Sequence, residues 1–242
     1  MTELVRLALE DGVATITLDS PDNRNALSRT LLERLGARLR NAVADESVRV
    51  VVLSHTGSVF CSGADLKDPP GPGAPVSLPE VLGLLWTSPK PIVGRVGGHA
   101  RAGGLGLVAA CDVAVAARDA TFAFTEVRLG VVPAIISLVT LPRLGHTRAL
   151  ELFLTGETFD GARAEEIGLV TAVADDVDTV VADYVAKLRL GAPNALAATK
   201  RLMRAPLDFA DVERLSLETF AGEEAAEGMA AFAEKRPPRW AT

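Results

Sequence analysis

Residues 3–9 and 13–19 alternate apolar and polar positions on either side of "EDG". A period of two is that of a half-buried strand, so the pair predicts a β-hairpin. The period then changes. Leu31, Leu35, Leu39 and Val43 recur every four residues, with Leu32 beside them, which predicts an amphipathic helix. Thr30 and Glu33 offer a capping box at its start. "VRVVVLS" (48–54) and "KPIVGRV" (90–96) are short apolar runs, as expected of strands buried on both faces. A helix is predicted over 78–87, another in "LGLVAACD" (105–112), and a strand in "VAVAAR" (113–118). "DPPGPGAP" (68–75) can be neither helix nor central strand and reads as a loop. Strand–helix–strand alternation predicts an α/β domain with parallel strands. Beyond residue 145 the pattern favours helices at 146–154, 161–167, 176–189, 194–204 and 208–234, with one strand near 169–174.

The chain has 242 residues, 48% of them hydrophobic, enough for one large domain with a sizeable core or a domain with a helical appendage. Aromatics are only 5%, so Ala, Val and Leu must build that core. A formal net charge of −6 disfavours nucleic acid or an anionic membrane as partner. Apolar runs break well before the ~18 residues of a membrane span, and "MTELVRLALEDG" is too acidic for a signal peptide. Cys61 and Cys111 belong to no CxxC or Cys/His cluster, so no metal site and no disulfide framework are expected, and a cytoplasmic location fits.

Three stretches offer chemistry. "GGHARAGGLGLVAACD" (97–112) matches neither GxxxxGK[ST] nor GxGxxG, so a phosphate cradle is a weak reading. Two readings stay open for Gly103 and Gly104: a plain strand-to-helix turn, or free N–H groups at a helix start, where glycine lets a ligand oxygen approach. In "FCSGADLK" (60–67) a strand ends and a second small-residue turn follows, with the same alternatives. In "TFAFTEVRLGVVP" (121–133), Glu126 sits among Phe122, Phe124, Val127, Leu129 and Val131. It is either a desolvated carboxylate able to exchange a proton near neutrality, or one half of an ion pair with Arg128 or Arg143. His55, His99 and His146 have no visible partner, and Ser62 in "CSG" does not fit GxSxG.

Taken in order, six segments resemble the enoyl-CoA hydratase/isomerase (crotonase) superfamily. They are "PDNRNALS" (21–28), "FCSGADLKD" (60–68), "KPIVGRVGGHARAGGLGLVAACDVAVA" (90–116), "FTEVRLGVVP" (124–133), "LTGETFDGARAEEIGLVTAV" (154–173) and "EEAAEGMAAFAEKRPPRW" (223–240). The likeness implies a spiral of ββα turns over residues 1–190. A helical C-terminal region, 191–242, would serve oligomerisation and cover the active site, in a homotrimer or dimer of trimers. It implies an acyl-CoA thioester substrate and no cofactor beyond the coenzyme A that the substrate carries.

Position by position, the resemblance assigns the two backbone donors for the thioester oxygen to Ala64 and Gly103. One such donor is typically worth about 3–4 kcal/mol in the transition state. It makes Glu126 the proton-transfer residue. Arg24, Ala26, Leu27, Asp65, Leu66 and Lys67 would line the coenzyme A channel, and Phe232 and Lys235 would reach the nucleotide of a neighbouring subunit. Arg24 could meet phosphate through charge-assisted bonds. Gly106 lies in the substrate pocket, where typical hydratases of the family place a second, water-activating glutamate. "PAIIS" (133–137) stands where "PGAGG" is usual, which puts larger side chains on the pocket wall. The implied activity is that of an enoyl-CoA hydratase-like lyase acting through a thioester enolate. The alternatives are a 3-enoyl-CoA to 2-enoyl-CoA isomerase using one glutamate, or a non-catalytic acyl-CoA-binding relative. An RNA-binding relative is disfavoured by the acidic balance, and a serine peptidase on a related spiral lacks a triad.

Overall fold

The computed structural model describes residues 3–68 and 76–241. The loop predicted at 68–75 lies, from residue 69 on, outside them. Strands and helices are numbered in chain order. The larger sheet holds β1 (Val5–Glu10), β2 (Val13–Leu18), β3 (Val50–His55), β5 (Ile92–Val96), β7 (Val113–Ala117) and β10 (Ala172–Ala174), in the order β1-β2-β3-β5-β7-β10. β1 and β2 form the predicted antiparallel hairpin; every other pairing in this sheet is parallel. A smaller sheet, β4 (Val59–Cys61), β6 (His99–Arg101), β8 (Thr121–Ala123) and β9 (Phe159–Asp160), runs in that order. The strand predicted to end at "FC" is β4; β6, β8 and β9 carry no such signal.

β3 shows why a continuous apolar run was required. Val51 and Leu53 enter the main core, while Val50 and Val52 enter a second cluster with Val93, Val115, Val177 and Val181. Both faces are covered, so no polar position alternates with the apolar ones. The second cluster lies under α6 (Val177–Arg189). On the main-core side lie α1 (Arg29–Ala44), α2 (Leu78–Thr87) and α3 (Gly103–Ala110). α1 buries Leu31, Leu32, Leu35 and Leu39, the stripe the spacing predicted. Its cap is Ser28, not Thr30: Ser28 is extended and its side chain accepts from Leu31 N–H, whereas Thr30 is already inside the helix.

The chain repeats one unit: a strand of the larger sheet, a strand of the smaller sheet, then a helix. β3–β4–α2, β5–β6–α3 and β7–β8–α4 (Ala134–Thr155) follow this path. In the unit before them, β2 leads to α1 through a single bridge residue, Leu27, which pairs with Ala64. The fold is therefore the α/β ββα spiral that the resemblance implied. α4 starts twelve residues before the predicted 146–154 helix and bends at Gly145 (φ 67°, ψ 166°); the prediction caught only the part beyond the bend.

The C-terminal part is helical: α5 (Gly161–Glu166), α6, α7 (Pro193–Arg204), α8 (Phe209–Phe220) and α9 (Glu223–Glu234). The helix predicted over 208–234 is two, α8 with a capping box at Asp208 and α9 starting after Gly222. α7 and α8 fully bury no residue. α7 is held to the core by charge instead. Asp112 pairs with Lys200 (2.7 Å) and Arg204 (2.6 Å) and accepts from Ile92 N–H (2.7 Å), and the Arg204 guanidinium lies over the Trp86 ring. Among the described residues no helix is long and apolar enough to cross a membrane.

Candidate active site

β4, β6 and β8 are parallel neighbours, so their C-terminal ends emerge on one edge of the smaller sheet. Ligand sites in parallel sheets gather outside such ends. β4 runs into Ser62–Gly63–Ala64, β6 into Ala102–Gly103, and β8 into Phe124–Thr125–Glu126. Residues 64, 103 and 126, scattered in sequence, thus follow consecutive strand ends. Leu27 adds a fourth segment at the same edge through its bridge to Ala64.

That bridge orients Ala64. Leu27 N–H donates to Gly63 O (2.8 Å) and Asp65 N–H donates to Leu27 O (3.4 Å). In a parallel bridge the residue between them turns its own N–H to the other side. Ala64 is exposed. Gly103 opens α3, so its N–H has no partner inside the helix. Among the described residues neither N–H finds a backbone acceptor. The two turns touch. Gly63 has φ +89°, and a Cβ on it would lie 3.0 Å from Ala102 Cβ and 3.5 Å from Gly103 N, so only glycine fits there. Ala102 adopts φ 47°, ψ −120°, a strained conformation for any residue with a Cβ. Its N–H donates to Ala123 O (3.0 Å), which fixes the start of α3 to β8.

Glu126 begins a 3-10 turn, Glu126–Leu129, directly after that strand. Its Oε2 is buried and has no hydrogen-bond partner among the described residues. Burial pushes the carboxyl above the usual glutamate range. The ion-pair alternatives are not what the structure shows: Arg128 donates to Thr155 O (3.3 Å), and Arg143 to Ala109 O (2.8 Å) and Cys111 O. A desolvated acid with an unused oxygen is suited to taking and returning a proton.

The packing around Gly106 is apolar. Gly106 lies one turn along α3 from Gly103, facing Ile136 of α4 and Leu82 of α2. "PAIIS" thus places Ile136, not a polar group, against the position where a second carboxylate was expected.

The residues assigned to coenzyme A divide by exposure. Arg24 is exposed and left-handed (φ 58°), and its carbonyl accepts from Ser62 N–H (3.1 Å), so it stands beside the end of β4. Ala26 and Leu27 are buried and can offer only backbone. Leu66 and Lys67 are exposed, on a turn in which Asp65 Oδ1 accepts from Lys67 N–H (2.9 Å). Phe232 is 88% exposed and Lys235 closes α9 in a left-handed conformation; the structure does not bring either to the Ala64–Gly103 turns by a hydrogen bond or ion pair. His99 Nδ1 lies 3.1 Å from both Thr121 N–H and the Thr121 hydroxyl and is a strut between β6 and β8.

Asn25 escaped the sequence reading. It is fully buried, accepts from Ser20 N–H (2.8 Å), and donates to Thr56 O (3.1 Å) and Val59 O (2.8 Å). These bonds clamp the Arg24–Leu27 segment onto the β3–β4 connection. Its only signal was a left-handed-tolerant residue inside "PDNRNALS"; its own φ is 52°.

Residues 8–242 match the family model described as enoyl-CoA hydratase/isomerase. An enoyl-CoA hydratase of known structure from Mycobacterium avium is 43% identical, with 99% of this chain and 100% of that one covered and a TM-score of 0.76. Pseudomonas aeruginosa AtuE is 36% identical over 99% and 100% of the two chains, with a TM-score of 0.91. An enoyl-CoA hydratase/isomerase from Marinobacter aquaeolei is 31% identical over the full length of both, also at 0.91. The fold and site define an enzyme of the crotonase superfamily, and the chain belongs to its enoyl-CoA hydratase/isomerase family.

Proposed function

We propose that the protein isomerises 3-enoyl-CoA thioesters to 2-enoyl-CoA by a one-carboxylate proton shuttle. The observation that carries this reading is Glu126: a buried carboxylate oxygen that finds no partner among the described residues, while Ile136 packs against Gly106 where a second acid would stand. The thioester oxygen accepts from Ala64 N–H and Gly103 N–H. Glu126 removes a proton from C2, and the electron pair moves into the thioester, giving a dienolate whose oxygen the two donors stabilise. The same carboxyl returns the proton to C4, and the double bond is left between C2 and C3. The proton is conserved and no water enters.

Hydration is the second reading, favoured by relatives that carry the name enoyl-CoA hydratase. There Glu126 would give the α-carbon its proton, but no side chain at 106 would hold the water. A purely acyl-CoA-binding role would leave the unpartnered acid without use. Arg24, Asp65, Leu66 and Lys67 frame the coenzyme A end of the channel. The exposed aromatics of the C-terminal helices, Phe209, Phe220 and Phe232, suit a homotrimer or dimer of trimers, in which Phe232 and Lys235 meet a neighbour's nucleotide. A cytoplasmic setting fits the two free buried thiols. Parallel assays of 3-hexenoyl-CoA isomerisation and crotonyl-CoA hydration, each with Glu126→Gln, test the reading. Isomerisation should dominate and vanish in the variant; hydration as the faster reaction would refute it.

A further inference from the structure

We infer that Gly106 and Ile136 are an interlocked pair that determines reaction specificity by keeping a second carboxylate and its water out of the pocket. A Cβ built on Gly106 would lie 2.6 Å from Ile136 Cγ2 and 3.2 Å from Ile136 Cβ, with Leu82 Cδ1 at 3.4 Å. The first two contacts are on a β-branched side chain, and Ile136 Cβ is fixed to the first turn of α4. Such a side chain has little rotamer freedom on a helix, so the clash cannot be relieved by swinging a flexible end aside. Glycine is normally a cost inside a helix; here Ile136 demands it.

The interlock also acts on water. Ile136 is 2% exposed and Leu82 is buried, and the groups that meet at Gly106 are carbon. A bound water needs two to four polar partners, which this wall does not supply. Gly106 is three residues from Gly103 on α3, hence on the same helix face as the proposed oxyanion donor. A side chain there would project toward Ile136 and Leu82, and on the proposed reading beside the reacting carbons. Ile136 is therefore a specificity-determining residue: it occupies the volume, and excludes the nucleophile, that hydration would use. The chemical consequence rests on the one-carboxylate reading; the steric interlock does not.

The test is a double-mutant cycle on the full chain: Gly106→Glu, Ile136→Gly and the two combined, with Gly106→Ala in place of Gly106→Glu if the latter does not fold. Melting temperature and the ratio of crotonyl-CoA hydration to 3-hexenoyl-CoA isomerisation are both read. Gly106→Glu or Gly106→Ala alone should lower the melting temperature by about 5 °C or more through overpacking. Adding Ile136→Gly should restore at least half of that loss, and the Glu-bearing double variant should raise the hydration ratio about tenfold. Additive melting shifts, or an unchanged ratio in a folded Glu-bearing double variant, would overturn the pair. A wild type without isomerase turnover would refute the proposed reaction, while the melting cycle would still judge the interlock.

Discussion

The two ends of α3 are treated in opposite ways. At its C-terminal end every strong group is paired. Arg143 donates to the carbonyls of Ala109 and Cys111, as a cation at a helix C-terminus should. Asp112, just beyond, is bound by Lys200, Arg204 and Ile92 N–H. At the N-terminal end the groups are left open. Among the described residues, Gly103 N–H has no acceptor, Ala64 N–H beside it has none, and Glu126 holds a buried oxygen without a donor. Buried polar groups are normally satisfied. One short helix therefore carries a sealed end, which fastens α7, and an open end, whose missing partners a thioester oxygen and an acidic C–H would supply.

The contrast can be broken from either side. The largest effect is expected at the open end: Glu126→Gln should cut turnover about 10²–10⁴-fold, measured as kcat/KM, with the fold intact. Full turnover in that variant would remove the distinction. At the sealed end, Asp112→Ala leaves Lys200 and Arg204, both largely buried, facing each other without a counter-charge. It should cost about 3–5 kcal/mol in denaturant unfolding and free α7 to proteolysis. Asn25→Ala removes the amide donor to Thr56 O and Val59 O and the acceptor of Ser20 N–H; a loss of about 1–3 kcal/mol is expected, with a raised KM as the Arg24–Leu27 segment loosens.

The smallest effect is in pH. Burial raises the Glu126 pKa above the ordinary 4.5, and the base must be ionised to work. The acidic limb of kcat/KM should therefore lie above 4.5 and disappear with the variant's activity. The sign for stability is opposite. The folded state favours the protonated acid, so Glu126 begins to cost stability as pH rises past 4.5, and the cost is complete once pH exceeds the raised value. Glu126→Gln should melt at or above the wild-type temperature at pH 8, whereas Asp112→Ala should melt below it.

Much of this was legible in the chain. β3 and β5 were visible because both faces are buried, and α1 because one face is. Of the three-residue strands only the end of β4 was legible, and β6 and β8 were not, since three residues carry no measurable period, yet the parallel ends of all three assemble the site. The start of α4 was hidden by exposed apolar residues such as Ile135 and Leu138 and by the bend at Gly145. Ala64, Gly103 and Glu126 could be proposed from motifs. "PAIIS" announced a bulkier wall, but only tertiary packing shows Ile136 against Gly106, thirty residues away in sequence. The strain at Ala102 was likewise invisible, because nothing in "HARAGG" reveals a backbone angle.

The most direct test of a water-free proton shuttle is turnover of 3-hexenoyl-CoA in ¹⁸O-labelled water, with the acyl products identified by mass. The open-end account predicts 2-hexenoyl-CoA without label as the dominant product, lost in Glu126→Gln. Accumulation of ¹⁸O-labelled 3-hydroxyhexanoyl-CoA at a rate that matches isomerisation, and that depends on Glu126, would contradict it.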